Sequence, residues 1–138
     1  YPEALVLFAA LVSRLPGQAR LHNTLGLCYY KTGQYARAAA AYQQALALAP
    51  QYALAHYNLG LLWLAQGQPA QAAASLEQAL VLDPQYPAAR FKLGEALARQ
   101  GDAAGALGAW EQVLRLFPGD AALRARVDSL KGLVAKGE

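Results

Sequence analysis

The run Asn58-Leu59-Gly60-Leu61-Leu62-Trp63-Leu64-Ala65-Gln66-Gly67-Gln68-Pro69 continues through Ala72, Leu76, Ala79 and Leu80 to Asp83-Pro84. It reads as two amphipathic helices hinged at Gly67. The same pattern recurs on either side. Leu25-Gly26, Leu59-Gly60 and Leu93-Gly94 stand 34 residues apart, and so do Gly33, Gly67 and Gly101. Ala38, Ala72 and Ala106 keep the interval, as do Pro16, Pro50, Pro84 and Pro118. Four independent series with one period are not an accident of an Ala- and Leu-rich composition. A 34-residue period in helix–turn–helix units is the pattern of a stacked helical repeat.

The chain resembles tetratricopeptide repeat (TPR) proteins, residue by residue. Each unit has Leu-Gly, then a large residue three on (Tyr29, Trp63, Leu97), the hinge Gly and a small Ala. A second large residue follows (Tyr42, Leu76, Trp110), then Ala45, Ala79 or Val113, and the closing Pro. The family's usual Trp near the start of each unit is His22, His56 or Arg90 here. The resemblance covers essentially the whole chain. It implies an all-α, right-handed solenoid of antiparallel helix pairs.

The units are read as follows. Residues 1–18 form a half repeat, since Tyr1, Ala4, Phe8, Leu11 and Pro16 occupy the places of Tyr35, Ala38, Tyr42, Ala45 and Pro50. Three full repeats span 19–52, 53–86 and 87–120, and 121–138 is a capping helix. Expected helices are Pro2–Leu15, Arg20–Thr32, Tyr35–Leu48, Ala53–Gln66, Pro69–Leu82, Pro87–Gln100, Ala103–Leu116 and Ala121–Val134. Each hinge Gly can take the left-handed conformation that ends a first helix. Each closing Pro prevents a second helix from continuing. Asp102 is placed to cap the helix after it. In the last helix Leu123, Val127, Leu130 and Val134 make one apolar stripe, and Asp128 stands where the repeats have Gly. One buried face suits the end of a stack.

The bulk numbers narrow the function classes. At 138 residues one compact body is expected, burying roughly two-thirds of the unfolded surface. No apolar run approaches about 18 residues, so no membrane span is expected. Leu5 to Val12 is apolar, but no basic segment precedes it, so it does not read as a signal peptide. The chain starts at Tyr1 and lacks Met, which suggests a fragment or a processed product. Cytoplasm is the favoured compartment; a periplasmic one would need a signal upstream. The Ala, Leu, Arg and Gly bias looks bacterial. Net charge of +3 does not by itself argue for nucleic acid.

No enzyme constellation is present. His22 and His56 lie one repeat apart, whereas two metal ligands must both reach about 2 Å from one ion. They read as packing residues. The single Cys28 gives no disulfide and no zinc spacing, and reads as a buried apolar thiol. Ser13, Ser75 and Ser129 have no His–Asp partners in sequence context. The glycines are spread at repeat spacing, so no phosphate-binding loop exists. No cofactor and no metal are implied.

What remains is surface. In TPR proteins the first-helix faces line a concave groove that takes an extended peptide or a helix, and the resemblance implies the same here. Those faces are Arg20, Asn23, Thr24, Leu27, Tyr30 and Lys31 in the first unit. Leu54, Tyr57, Asn58, Leu61 and Leu64 follow in the second, and Phe91, Lys92, Glu95 and Arg99 in the third. Arg20, Lys31, Lys92, Arg99 and Arg126 oppose one acid, Glu95, so a positive groove is expected. Tyr30, Tyr57 and Phe91 offer flat contact area of the kind enriched at interfaces. Some TPR domains hold a chaperone's C-terminal carboxylate with a five-residue clamp. Only Asn58 matches it and Lys92 approximates it, while Asn23, Leu27 and Ala88 depart, so the clamp is not present.

The expected function is a protein-interaction scaffold binding an acidic or amphipathic segment. The alternatives are a self-assembling module, or the non-catalytic part of a larger bacterial enzyme or secretion and assembly protein. Self-association would use Leu5, Val6, Leu7 and Phe8. These make the first helix apolar nearly all round, the mark of a buried helix, and a weak homodimer through them is expected.

Overall fold

The computed structural model describes residues 19–137. Seven helices and no strand are found among them: α1 (Ala19–Lys31), α2 (Tyr35–Leu48), α3 (Ala53–Ala65), α4 (Pro69–Leu82), α5 (Pro87–Arg99), α6 (Ala103–Leu116) and α7 (Ala121–Gly137). The tightest partners are α1 with α2, α3 with α4, and α5 with α6. The pairs then stack through α2 on α3, α4 on α5 and α6 on α7. This is the expected all-α repeat solenoid. The expected N-terminal half unit and its self-association residues Leu5, Val6, Leu7 and Phe8 lie outside the described residues.

One backbone device closes every first helix. Gly33, Gly67 and Gly101 have φ of 76°, 71° and 84°. The amide after each Gly donates back across the turn: Gln34 to Tyr29, Gln68 to Trp63 and Asp102 to Leu97, at 2.8–2.9 Å. The glycine amides donate to Tyr30, Leu64 and Ala98. This double closure is the Schellman arrangement, which satisfies carbonyls that a helix end would leave bare. It also explains why α1, α3 and α5 end one residue earlier than expected, since Thr32, Gln66 and Gln100 already belong to the closing turn. Asp102 does cap α6, its Oδ1 accepting from the Gly105 amide at 2.9 Å. The last helix runs beyond Val134, because Gly132 is not left-handed and no Pro intervenes.

The Leu-Gly pairs have a steric cause. A methyl group on Gly26 would meet the Tyr42 ring at 2.6 Å, and one on Gly60 would meet Leu76 Cγ at 2.7 Å. One on Gly94 would run into the Trp110 indole. Each large residue of a second helix therefore sits in the notch left by the first-helix Gly. Tyr42 and Leu76 are fully buried there. Burying one such side chain stabilises by roughly 1.5–3 kcal/mol. Between the notches, Ala38, Ala72 and Ala106 are wholly buried and let the helices of a pair approach closely. Leu123, Val127 and Leu130 of α7 cover Ala106, Trp110 and Val113 of α6.

Turns between units are tied by a contact that the repeat pattern alone did not disclose. After Pro50, Pro84 and Pro118, the side chain six residues on bonds that proline's carbonyl oxygen. His56 Nε2 lies 3.1 Å from Pro50 O. Arg90 and Arg124 donate to Pro84 O and Pro118 O at 3.0 and 2.9 Å. His56 and Arg90 hold the place of the family's usual Trp. A polar donor there replaces aromatic packing with a bond to an otherwise open turn carbonyl.

Candidate functional site

The first helices α1, α3 and α5 present neighbouring faces, and two hydrogen bonds join them directly. Asn58 Nδ2 donates to Asn23 Oδ1 at 3.1 Å, linking α3 to α1. Arg99 donates to the Leu64 carbonyl at 3.0 Å, linking α5 to the end of α3. Both pairs are 35 residues apart, so each link reaches one repeat back.

Between these links lies a cavity of about 180 Å³ whose walls come from three successive first helices. Tyr30 comes from α1, Leu61 and Leu64 from α3, and Lys92, Glu95 and Arg99 from α5. Glu95 stands between the two cations. Its carboxylate is 3.5 Å from Lys92 Nζ and 3.0 Å from an Arg99 guanidinium nitrogen. Helical spacing explains the triad, because residues three and four apart share a face.

The one acid of the expected positive face, Glu95, thus sits between two of its cations. Lys92 and Arg99 are both paired with Glu95, and Arg99 also closes the end of α3. Two further expected face residues face inward. Asn23 and Asn58 are buried at 5% and 8% exposure and bonded to each other, so Asn58 does not stand open toward a ligand. Leu64 is also buried, and packs into the core of the second and third units. Leu27 and Leu54 remain exposed, as do Arg20 and Lys31 at the two ends of α1.

The aromatic residues are held by specific neighbours. The Tyr57 ring lies 5.0 Å from that of Tyr86, and Tyr30 lies 5.6 Å from Tyr35. Burial pushes the Tyr57 and Tyr86 phenols above the ordinary tyrosine range, with smaller contributions from Tyr30 on Tyr57 and from Tyr57 and Asp83 on Tyr86. Phe91 stacks on Trp110 at 6.1 Å, and the Trp110 indole N–H donates to the Phe91 carbonyl at 3.0 Å. The Arg126 guanidinium from α7 lies over both rings, at 5.5 and 5.8 Å. Lys92 Nζ approaches Phe91 at 5.9 Å.

Seven of the expected face residues thus fall into two groups. Tyr30, Leu61, Lys92, Glu95 and Arg99 meet at one cavity. Phe91 and Arg126 meet with Trp110 one helix further on. The contributions of Trp110, Tyr86 and Phe117 to the second group were missed. Their positions in the period mark them as packing or turn residues, and only the packing of α5, α6 and α7 puts Tyr86 and Phe117 at one cavity with Phe91 and sets the buried Trp110 ring under Arg126.

The other sequence candidates are structural. His22 is buried. Cys28 is half-buried and packs against Leu25 and Ala41. Among the described residues no cluster of three His, Cys, Asp or Glu side chains is placed to hold a metal ion. No described helix is long and apolar enough to cross a membrane.

The architecture defines a class, the helical-repeat solenoid built of 34-residue helix pairs. The tetratricopeptide repeat family model matches residues 1–53, 29–87 and 57–121, and the chain belongs to that family. Comparison with curated proteins gives no match. Solved structures match well. MamA superposes with a TM-score of 0.88 at 22% identity, covering 97% of this chain and 77% of that one. The TPR domain of Sgt2 from Aspergillus fumigatus gives 0.75 at 26% identity, covering 86% and 80%. The first TPR of Spaghetti (RPAP3), bound to the HSP90 peptide SRMEEVD, gives 0.79 at 21% identity, covering 85% and 93%.

Proposed function

We propose that this chain is a protein-interaction scaffold that holds an acidic or amphipathic peptide segment against its first-helix face. The observation that carries the reading is the cavity lined by Tyr30, Leu61, Lys92, Glu95 and Arg99. A recess assembled from three repeats, with an aromatic wall, an apolar floor and a charged rim, is suited to side chains of an incoming segment. The face as a whole carries Arg20, Lys31, Lys92, Arg99 and Arg126 against Glu95, which favours acidic segments and speeds their encounter. The Spaghetti domain with its HSP90 peptide supports peptide binding on this architecture. The carboxylate-clamp version of that function is not favoured. Asn58, the one clamp position matched, is bonded to Asn23.

The test is a selection of random displayed peptides on the wild-type protein, followed by titration against variants. Enriched peptides should carry acidic residues beside apolar ones. Their affinity should fall about tenfold or more for Leu61→Asp, which places a carboxylate on the floor of the recess, and less for Lys92→Glu. Binding should weaken as salt rises, because exposed charges are screened within about 8 Å at physiological ionic strength. Peptides unaffected by both variants but lost on Glu77→Lys and Glu111→Lys, on the second helices, would place binding on the opposite face and sink the proposal.

A further inference from the structure

The groove between α5 and α7 is a different place from the three-repeat recess. Two apolar cavities open along it. One, of about 580 Å³, lies at the N-terminal ends of both helices, walled by Tyr86, Phe91, Val113, Phe117 and Leu123. The other, of about 480 Å³, lies toward their C-terminal ends, walled by Ala98, Trp110, Ser129, Leu130 and Leu133. Phe91 belongs to the first and Trp110 to the second. Arg126 covers both rings, so its guanidinium plate stands between the two cavities. Among the described residues no carboxylate pairs with Arg126. The one acid lining either cavity, Asp120, is engaged in capping α7, its Oδ1 accepting from the Leu123 amide at 3.0 Å. Phe117 and Leu133 are 51% and 63% exposed, more than such side chains keep when covered.

We propose that this groove takes an amphipathic helix of a partner protein, with two apolar residues seven apart and an acidic residue between them. The assignment rests on the reading that the first-helix face binds a protein segment, and it names the chemistry of that segment. The spacing comes from α7 itself. Leu123 walls one cavity and Leu130 the other, seven residues and about 10.5 Å apart along a helix. A helix lying along the groove repeats that interval between its own residues i and i+7 on one face. Its residue i+3 or i+4 then falls opposite Arg126, which sits three residues after Leu123 and four before Leu130. A carboxylate there meets a guanidinium already placed over two aromatic rings, at 5.5 and 5.8 Å from their centres. Little side-chain freedom is left to lose, so the pair forms at low entropic cost. Small residues along the groove, Ala88, Ala98, Ala125 and Ser129, let a helix backbone approach.

A displayed library of helical peptides of about four turns tests this on the full chain. The enriched sequences should show apolar residues at i and i+7 with Asp or Glu at i+3 or i+4. One enriched peptide is then titrated by fluorescence anisotropy. Arg126→Glu should weaken it about 5-fold, and replacing the peptide's acid by Lys should restore affinity to that variant. Phe117→Glu and Leu133→Glu, at exposed positions, should each weaken it about tenfold with helical content unchanged by circular dichroism. Enrichment without this spacing, or binding indifferent to all three variants, overturns the proposal. Peptides lost on Leu61→Asp but not on Arg126→Glu would leave the general scaffold reading standing and remove this one. Loss on neither removes both.

Discussion

Asn23 and Asn58 show how one buried polar pair changes the meaning of a residue. By periodicity both belong to an exposed face, and in the structure each satisfies the other in a buried gap between neighbouring first helices. Removing one partner leaves a buried amide group unmatched. Asn58→Ala should therefore cost about 1–3 kcal/mol, while Asn23→Leu with Asn58→Leu should be nearly neutral. Urea unfolding of the single and double variants measures both. Equal losses from Asn58→Ala and the double variant would contradict the pairing. A binding defect in Asn58→Ala thus needs a stability control before it is assigned to a ligand. Gly60 is a second such residue. Adding one methyl drives it into Leu76, which is fully buried. Gly60→Ala should cost about 1–3 kcal/mol by overpacking, although Ala is intrinsically the better helix former. Tyr42 adds a pH signature. Burial raises its phenol well above the ordinary tyrosine value of 10.0, with Tyr30 and Cys28 adding to it. Its folded form holds the proton longer than its unfolded form. Its contribution is therefore intact below pH about 10 and is lost as pH rises from there toward the folded value. Stability should fall above pH about 10, and Tyr42→Phe should make that fall shallower.

At the scale of the element, what matters is how helices end and what they receive. The glycines of the closing turns have open space around them but a left-handed backbone. Gly67→Ala should therefore destabilise by roughly 1–2 kcal/mol through backbone strain alone, and Gly67→Asn by less, since Asn tolerates that region. Thermal denaturation separates this from Gly60→Ala, whose cost is steric. If Asn is no better tolerated than Ala at position 67, the strain account fails. The helix α7 differs from α1, α3 and α5 at one informative place. Asp128 stands at the register of Gly26, Gly60 and Gly94. With a Cβ there, the notch that admits Tyr42, Leu76 or Trp110 is closed. A following helix therefore cannot seat a large residue against α7 as the second helices do against theirs.

Over the whole molecule, stability is a chain of nearest-neighbour contacts, so each end needs a cover. Over the third repeat, the stripe Leu123, Val127 and Leu130 of α7 buries Trp110 and Val113. A chain cut after Asp120 loses three such burials, each worth roughly 1.5–3 kcal/mol. It should unfold at lower denaturant and bind more of an apolar fluorescent dye, with the third repeat the first to open. An unchanged midpoint would mean that α7 is not a structural cap.

The period of 34 residues by itself determined the number of helices among the described residues and, to within three residues, where each begins and ends. It could do so because those features depend on local chemistry. A left-handed Gly, a closing Pro, a capping Asp and a small residue beneath a large one act on their immediate neighbours wherever the unit is placed. Tertiary structure alone decided which face residues are available. Asn58 was withdrawn by an amide 35 positions earlier, and Arg99 was anchored by the carbonyl of Leu64 while staying exposed. Phe91, Trp110 and Arg126 were gathered from three different helices. A repeating pattern assigns the same role to every equivalent position. The side chain that comes to lie opposite belongs to another repeat, and the distance between them is set by packing of helices far apart in the chain.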